Sequence, residues 1–400
     1  MNKENTPFRL VFMGPLYPEN EEKSILGASS GSISSAPNVF QWNLIHGIEE
    51  TLSHPIEIIN CLPVGTWPRN FRRFFLKDRQ WKNGEAVCHE VGCVNLPFIK
   101  QAMRASKAKR LLKKLLRPGD HLVLYSAYMP FLKAIHTLPK DVDVTVIITD
   151  LPEFYDLGQT SRLRKTLRNM QNRLVYRCLS RADRFVLLTE QMKEPMQVGH
   201  RPWLLMEGIC AAHPEANPAA LSTSPAFLYS GTLHYRFGIK NLLEAFQNLD
   251  ATDAELWICG AGEAEAEIKS LAEKDSRIKF FGFLTQSDVA NLRSKAAVLV
   301  NPRPNEGEYT KYSFPSKTME YMASGKPVIM YPLEGVPGEY APYLYFADGK
   351  GWEGLLAQMN HVLAHPQEAR LKGEAARDFV TRNKCRKAQG QRLVAFLKGE

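Results

Sequence analysis

The sequence predicts an α/β protein built from two Rossmann-like, doubly wound halves, and three observations predict it. At 400 residues the chain is too long for one ordinary core and suits two domains of about 150 to 200 residues each. Each half opens with the same succession of a short apolar strand, a glycine-containing loop and a helix. Between the halves, Glu207–Pro225 is rich in Ala, Pro, Ser and Asn and has no periodicity, so it reads as a linker.

The first half begins with the apolar run Phe8–Met13, which stops at Gly14-Pro15. A long Gly/Ser/Pro-containing loop, Gly27–Pro37, follows, and then a helix over about Asn38–Leu52. Ile56–Cys61, His121–Tyr125, Val144–Thr149 and Arg184–Leu188 read as further strands, and the helices between them imply a parallel sheet. The second sheet starts at Phe227. Its most legible unit is Asn301–Met330, NPRPNEGEYTKYSFPSKTMEYMASGKPVIM. The β-favouring run Ala297–Val300 ends at Asn301-Pro302. Ser313 or Ser316 is placed to cap a helix whose first turn accepts Pro315. Ser324-Gly325-Lys326-Pro327 ends that helix, because Gly325 can take a left-handed C′ position and Pro327 cannot continue it. Pro327–Tyr331 then resumes as a strand, and Ala375–Leu397 reads helical. The expected divisions are an N-terminal domain 1–206, a linker 207–225, a C-terminal domain 226–374, and a segment 375–400 returning to the first domain.

Composition bounds the function. The chain is 44% hydrophobic and 23% charged, the proportions of a folded globular protein. No apolar run approaches the roughly 18 to 20 residues that span a bilayer. The start, MNKENTPFRLVFMGP, lacks the apolar core and cleavage site of a signal peptide, so a cytoplasmic location is expected. Seven scattered cysteines without a C-x-x-C pair suit reduced thiols rather than a disulfide framework or a metal site. The net charge of +9 lies in the first half, with 29 Lys and Arg against 19 Asp and Glu over residues 1–205. Lys100–Arg117 has eight cations and no acid, and Arg162–Arg184 has eight cations and one acid. Both have helical apolar spacing. They read either as solvated faces or as basic amphipathic surfaces resting on anionic lipid at the cytoplasmic face of a membrane. Nucleic acid is not expected, since no base-reading motif accompanies the charge.

Ligands of open parallel sheets bind beyond the carboxyl ends of the strands. Gly14, the Gly27–Ser35 loop with Ser30 and Gly31, Asp150, Gly231, Gly260 and Asn301 all fall there, and two such edges facing one another would form a cleft. Asp150 and Glu153 follow a strand directly and are candidates for binding or deprotonating an acceptor hydroxyl; a plain capping role for Asp150 is the alternative. Free N–H groups near Ser316 and Lys317 favour phosphate, and Glu320, one turn further, suits ribose hydroxyls.

Lys317, Glu320 and Met322-Ala323-Ser324-Gly325-Lys326-Pro327-Val328 resemble the donor-binding segment of the large retaining glycosyltransferase family usually numbered four, which has the GT-B fold. Phe227–Leu233 with Arg236, Gly238 and Leu242–Phe246 is similar to the opening strand, loop and helix of that family's donor domain. Leu256–Gly262 resembles its next strand and glycine turn, and Ile278–Leu284 the segment near the nucleotide base. The resemblance covers about residues 226–350 and implies that 226–374 is the nucleotide-sugar donor-binding domain and 1–206 the acceptor-binding one. It departs at Tyr312, where the family usually has the first glutamate of an E-x7-E pair ending at Glu320, with Glu306 and Glu308 just upstream. It departs again at Thr232 and Phe237, where the family has arginine and lysine; Arg236 and Lys240 are neighbouring cations able to replace them.

The resemblance implies a hexosyl transferase acting with retention on a nucleoside-diphosphate sugar, with uridine favoured. The expected acceptor is a hydroxyl of a saccharide, lipid-linked first of all, as in surface polysaccharide and exopolysaccharide assembly. Arg236, Lys240, Lys317 and the helix start at Ser316 would stabilise the leaving diphosphate, with Arg303 and Glu308 as further contacts. Glu320 would hold the ribose, Gly231, Gly260 and Gly262 would admit the nucleotide, and Phe283 and Leu284 would line the base pocket. The expected catalytic set is Arg236, Lys317 and Asp150. No cofactor and no metal is expected, because the resemblance implies leaving-group stabilisation without a bound metal and the sequence has no His/Cys cluster. Two alternatives share the fold: a nucleotide-sugar epimerase or hydrolase, and a nucleotide-sugar-binding scaffold without catalysis.

Overall fold

A computed structural model describes residues 8–30, 36–52, 54–154, 162–210 and 224–400. Gly31 and residues 211–223 of the expected linker lie outside the described residues. The chain divides into two compact units, one of Met1–Ile209 with Arg386–Glu400 and one of Cys210–Cys385.

The first unit contains β1 (Leu10–Gly14), α1 (Glu22–Gly27), α2 (Ala36–Glu49), β2 (Glu57–Asn60), β3 (Phe75–Leu76), β4 (Arg79–Asn83), β5 (Ala86–Glu90), β6 (Cys93–Val94), α3 (Ile99–Leu115), β7 (His121–Tyr125), α4 (Met129–Ile135), β8 (Asp143–Ile148), α5 (Arg162–Leu179), β9 (Arg184–Leu187) and β10 (Trp203–Leu205). Its main sheet has the order β10-β9-β8-β7-β1-β2-β5-β4. The chain leaves β1 in one direction and returns to β7 on the other side, so the switch point lies between β1 and β7. β1 is buried at every position, as a central parallel strand covered on both faces must be. Two features depart from a purely parallel sheet: β4 pairs antiparallel with β5, and β3 pairs antiparallel with β6 as a separate ribbon. The expected loop at Gly27–Pro37 is also shorter, because Glu22–Gly27 is helical and α2 starts at Ala36. A Cβ on Gly27 would meet nothing within 4 Å, so this glycine is not required for a close approach.

The second unit contains β11 (Ala226–Ser230), α6 (Ile239–Gln247), β12 (Glu255–Cys259), α7 (Glu265–Lys274), β13 (Ile278–Phe280), α8 (Gln286–Lys295), β14 (Val298–Asn301), α9 (Ser316–Ala323), β15 (Val328–Met330), β16 (Tyr345–Phe346), α10 (Trp352–Ala364) and α11 (Pro366–Asn383). Its sheet, β13-β12-β11-β14-β15-β16, is parallel throughout and switches between β11 and β14. Strand alternation divides the core. Phe227, Tyr229, Leu256 and Ile258 join one buried cluster with α6 and α10, while Leu228, Trp257 and Cys259 join another with α9 and α11.

The helical stretch read at Ala375–Leu397 is the end of α11 followed by a separate helix, α12 (Arg386–Lys398), and the break falls at Lys384-Cys385. α12 packs on α2 in the first unit. The crossing is close because Gly47 and Gly390 meet there: a Cβ on Gly390 would lie 2.1 Å from the Gly47 carbonyl carbon. Arg386 and Glu50 add an ion pair at 2.7 Å.

Candidate functional site

In the second unit the switch point between β11 and β14 gathers most of the expected donor residues. The Gly231 N–H, just past β11, donates to the Cys259 carbonyl at 2.9 Å, and the Gly260 N–H donates to the Gly282 carbonyl at 2.8 Å. Gly260 has φ +143, and a Cβ there would lie 1.7 Å from the Gly231 carbonyl oxygen. Only glycine permits this approach of two strand ends. Gly262 is also tightly packed, with a Cβ 2.5 Å from the Leu233 carbonyl oxygen. Gly238, at φ +82, lets the turn before α6 rest on the Pro302 carbonyl beyond β14.

Lys317 projects from α9 into this edge. Its ammonium donates to the Ser230 carbonyl, lies over the Tyr229 ring at 5.8 Å, and occupies the space a Gly231 side chain would need. Burial lowers its pKa below the ordinary 10.5, and Glu320 opposes that shift. Tyr321, fully buried, accepts the Ser230 N–H at 3.1 Å, and Asn301 donates to Thr318 at 3.3 Å, so α9 is fixed to both β11 and β14.

The start of α9 differs from the expected serine cap. Pro315 holds the cap position, and among the described residues no side-chain hydrogen bond caps the helix. Ser313 is diverted, since its hydroxyl donates to the Tyr309 carbonyl at 3.1 Å and accepts from Arg303 Nη2 at 2.8 Å. Ser316 is the exposed first residue of the helix. The result is a helix N-terminus with no side-chain acceptor on its first amides, next to a half-buried lysine, an arrangement that suits an anion.

Arg303 is half-buried beneath Tyr309, with its ring at 4.9 Å. Burial lowers its pKa below the ordinary arginine value, and the nearby Arg236 adds to the effect. Its Nε is buried without a partner among the described residues. Arg236 itself is exposed and stacks on Phe237 at 4.9 Å. Arg236 and Arg303, both expected as diphosphate contacts, thus lie within electrostatic reach of one another. Glu308 is exposed on the short turn Glu308–Thr310. Glu320 is half exposed and pairs with Arg293 of α8 at 3.4 Å. Phe283 is 83% exposed beyond β13, near Gly282, and Leu284 is half-buried. Lys240 is exposed and paired with Glu244 at 3.9 Å.

The acceptor candidates belong to the first unit. Asp150 is exposed at the carboxyl end of β8, and Glu153 accepts the Tyr176 hydroxyl at 2.8 Å. Ser30 donates its N–H to the Asn70 carbonyl at 3.0 Å. Of the two basic segments, α3 differs from a uniformly exposed face. Lys100 and Arg104 are buried, and their cations donate to the carbonyls of Val64, Gly65 and Leu62. On α5, Met170 and Leu174 are exposed one turn apart, beside exposed Arg173 and Arg177.

Sequence reasoning missed the supports: Tyr229 and Tyr321 around Ser230, Arg293 behind Glu320, and Tyr309 over Arg303. Each sits in an ordinary strand, helix or loop pattern, with no motif to mark it. An open concavity of about 460 Å³ beside β16, α10 and α11, lined by Phe346, His361, Glu368 and Lys372, includes none of the candidate residues.

Residues 224–365 match the family described as Glycosyl transferases group 1. No curated protein matches the chain. Among solved structures, the chain is similar to a sucrose-phosphate synthase from Thermosynechococcus elongatus, at 15% identity and TM-score 0.64 over 98% of both chains. It is similar to the apo form of the lipopolysaccharide outer core galactosyltransferase WaaB, at 13% identity and TM-score 0.63 over 98% of this chain and 99% of that one. It is also similar to Anabaena HepE in complex with UDP, at 12% identity and TM-score 0.61 over 98% of this chain and 100% of that one. At these identities the likeness establishes the fold, and the family match supports glycosyl transfer. The chain therefore has the GT-B fold, and its residues 224–365 are similar to the glycosyl transferases group 1 family.

Proposed function

We propose that this protein is a retaining hexosyl transferase that moves a sugar from a nucleoside diphosphate, uridine first, to a hydroxyl acceptor. The observation that carries the reading is the Lys317 ammonium held beside Gly231 at the start of an α9 that no side chain caps. The bond to the leaving diphosphate breaks as negative charge develops on its oxygens, so fixed positive groups there lower the barrier. One such donor contributes about 3 to 4 kcal/mol. Lys317 and the Ser316 and Lys317 amides supply this charge, with Arg236 and Arg303 as a second cationic side. Glu320 accepts from the ribose, and Phe283 and Leu284 cover the base. Asp150 or Glu153 takes the acceptor proton or binds its hydroxyl. These groups supply the charge without a bound metal or cofactor.

The uridine assignment is supported by the UDP held in the HepE structure. The acceptor we favour is a lipid-linked saccharide of surface polysaccharide assembly, reached from the cytoplasmic face of the membrane. Support for that comes from the exposed Met170, Leu174, Arg173 and Arg177 face of α5 and the exposed end of α3 at Arg110, Lys113 and Lys114.

The test incubates the protein with UDP-sugars, with and without lipid extract, and reads UDP release together with the anomeric configuration of the product. Acceptor-dependent release with retained configuration supports the proposal. Release without acceptor indicates a hydrolase or epimerase, and nucleotide binding with no turnover indicates a scaffold.

A further inference from the structure

The segment Thr66–Lys77, TWPRNFRRFFLK, interleaves aromatic and basic residues and contains four cations and no acid. Its apolar side chains are not all taken into the core. Trp67 is 38% exposed and Phe75 64%, and the neighbouring Phe98 and Ile99 are 88% and 47% exposed. Asn95 joins the two stretches: it accepts the Trp67 N–H at 2.9 Å, donates its own N–H to the Phe74 carbonyl at 2.8 Å, and its side chain reaches the Arg73 carbonyl at 3.1 Å. β3 pairs with β6 beneath. The buried Lys100 and Arg104 grip the carbonyls of Leu62, Val64 and Gly65 at the root of the segment. Phe98 is held at φ +61, a conformation rarely adopted by a bulky residue, with its ring in solvent. A rigid base thus presents an apolar tip.

We propose that Trp67, Phe75, Phe98 and Ile99 form a wedge that enters the interface of an anionic membrane, with Arg69, Arg72, Arg73 and Lys77 binding the headgroups. All four cations are exposed, and among the described residues none has a carboxylate partner. That charge selects the occupant. A second copy of the chain would bring like charges together, whereas an anionic lipid surface is complementary to both rim and tip. Stacked nucleic-acid bases fit less well, because Trp67–Phe74 and Phe74–Phe75 meet edge to face at 80° and 88° and Ile99 has no ring. Ser29 pairs with Phe71 across an isolated bridge, which ties the wedge to the candidate acceptor loop. A lipid-linked acceptor would profit from that tie, and this one point rests on the proposed function; the wedge itself does not.

Co-sedimentation with vesicles of phosphatidylcholine, alone or mixed with phosphatidylglycerol, tests the wedge. The wild type is expected on the mixed vesicles, with binding that falls as salt rises. Phe75→Ser with Phe98→Ser should weaken it about tenfold or more. Arg69→Gln, Arg72→Gln and Arg73→Gln together should remove the preference for phosphatidylglycerol. An unchanged circular dichroism spectrum keeps loss of fold apart, as the substituted residues are exposed. The proposal is overturned if the wild type ignores the mixed vesicles, if the serine variant binds like the wild type, if Met170→Ser with Leu174→Ser alone abolishes binding, or if the segment instead captures single-stranded RNA.

Discussion

Gly231→Ala separates the fold of the second unit from the anion binding proposed for it. The added Cβ would lie 2.4 Å from Lys317 Nζ and 2.8 Å from Tyr229 Oη. Both are ends of side chains, so the strand need not move, but the ammonium must retreat by about 1 Å to regain an ordinary contact. It then loses the Ser230 carbonyl, at a cost of about 1 kcal/mol. A misplaced Lys317 also forfeits a charge-assisted hydrogen bond to phosphate of about 1.5 to 3 kcal/mol, roughly 10- to 100-fold in affinity. Thermal melting with and without UDP reads both effects. At a UDP concentration about 100 times the wild-type Kd, ligand stabilisation is about 2.7 kcal/mol, and it should fall to about 0.4 to 1.4 kcal/mol in the variant. The ligand-free melting temperature should drop by about 2 to 4 °C. A Gly231→Ala protein that keeps the full UDP-induced rise would refute the placement of Lys317 against the phosphates. Gly260→Ala is the contrast: its Cβ meets backbone at 1.7 Å, so stability itself should fall by about 3 kcal/mol or more.

Glu320→Ala should weaken UDP binding about tenfold or more and also lower the melting temperature by a few degrees, since it takes the carboxylate from the buried Arg293; calorimetry checks the first and a melt the second. Gly390→Ala should destabilise the first unit by about 2 to 4 kcal/mol, because the Cβ meets the Gly47 backbone at 2.1 Å, and denaturant unfolding measures it. Burial, with Arg104 beside it, lowers Lys100 from 10.5 to about 8. Across that window the unfolded chain holds a proton that the folded chain has released, so this group makes stability rise with pH, by at most about 3 kcal/mol. Comparing wild type with Lys100→Met on both sides of the window should show the rise only in the wild type.

The β14–α9–β15 unit was legible because its punctuation is strong: Asn301-Pro302 ends a strand, and Gly325, at φ +72, with Pro327 ends a helix. The cap was not. Ser313 reads as a cap in sequence, yet Arg303, brought close by the loop, claims its hydroxyl and leaves Pro315 in that position. Likewise, helical spacing reveals α3 but not which of its cations are buried. Lys100 and Arg104 go inside because the Leu62–Gly65 carbonyls, distant in sequence, need donors. The mixed run FRRFFLKDRQWK has neither helical nor strand period, and its two short strands became visible only through their partners in β5 and β6. The glycines at 231, 260 and 262 were placed by strand order alone, whereas their contacts with Lys317 and Leu233 are tertiary.

The most direct test of the central claim is titration calorimetry of UDP, GDP and ADP against wild type and Lys317→Met. One diphosphate should bind the wild type in clear preference, and its affinity should fall about tenfold or more in the variant. Binding of none of the three, or equal affinity in Lys317→Met, would contradict a donor site at the start of α9.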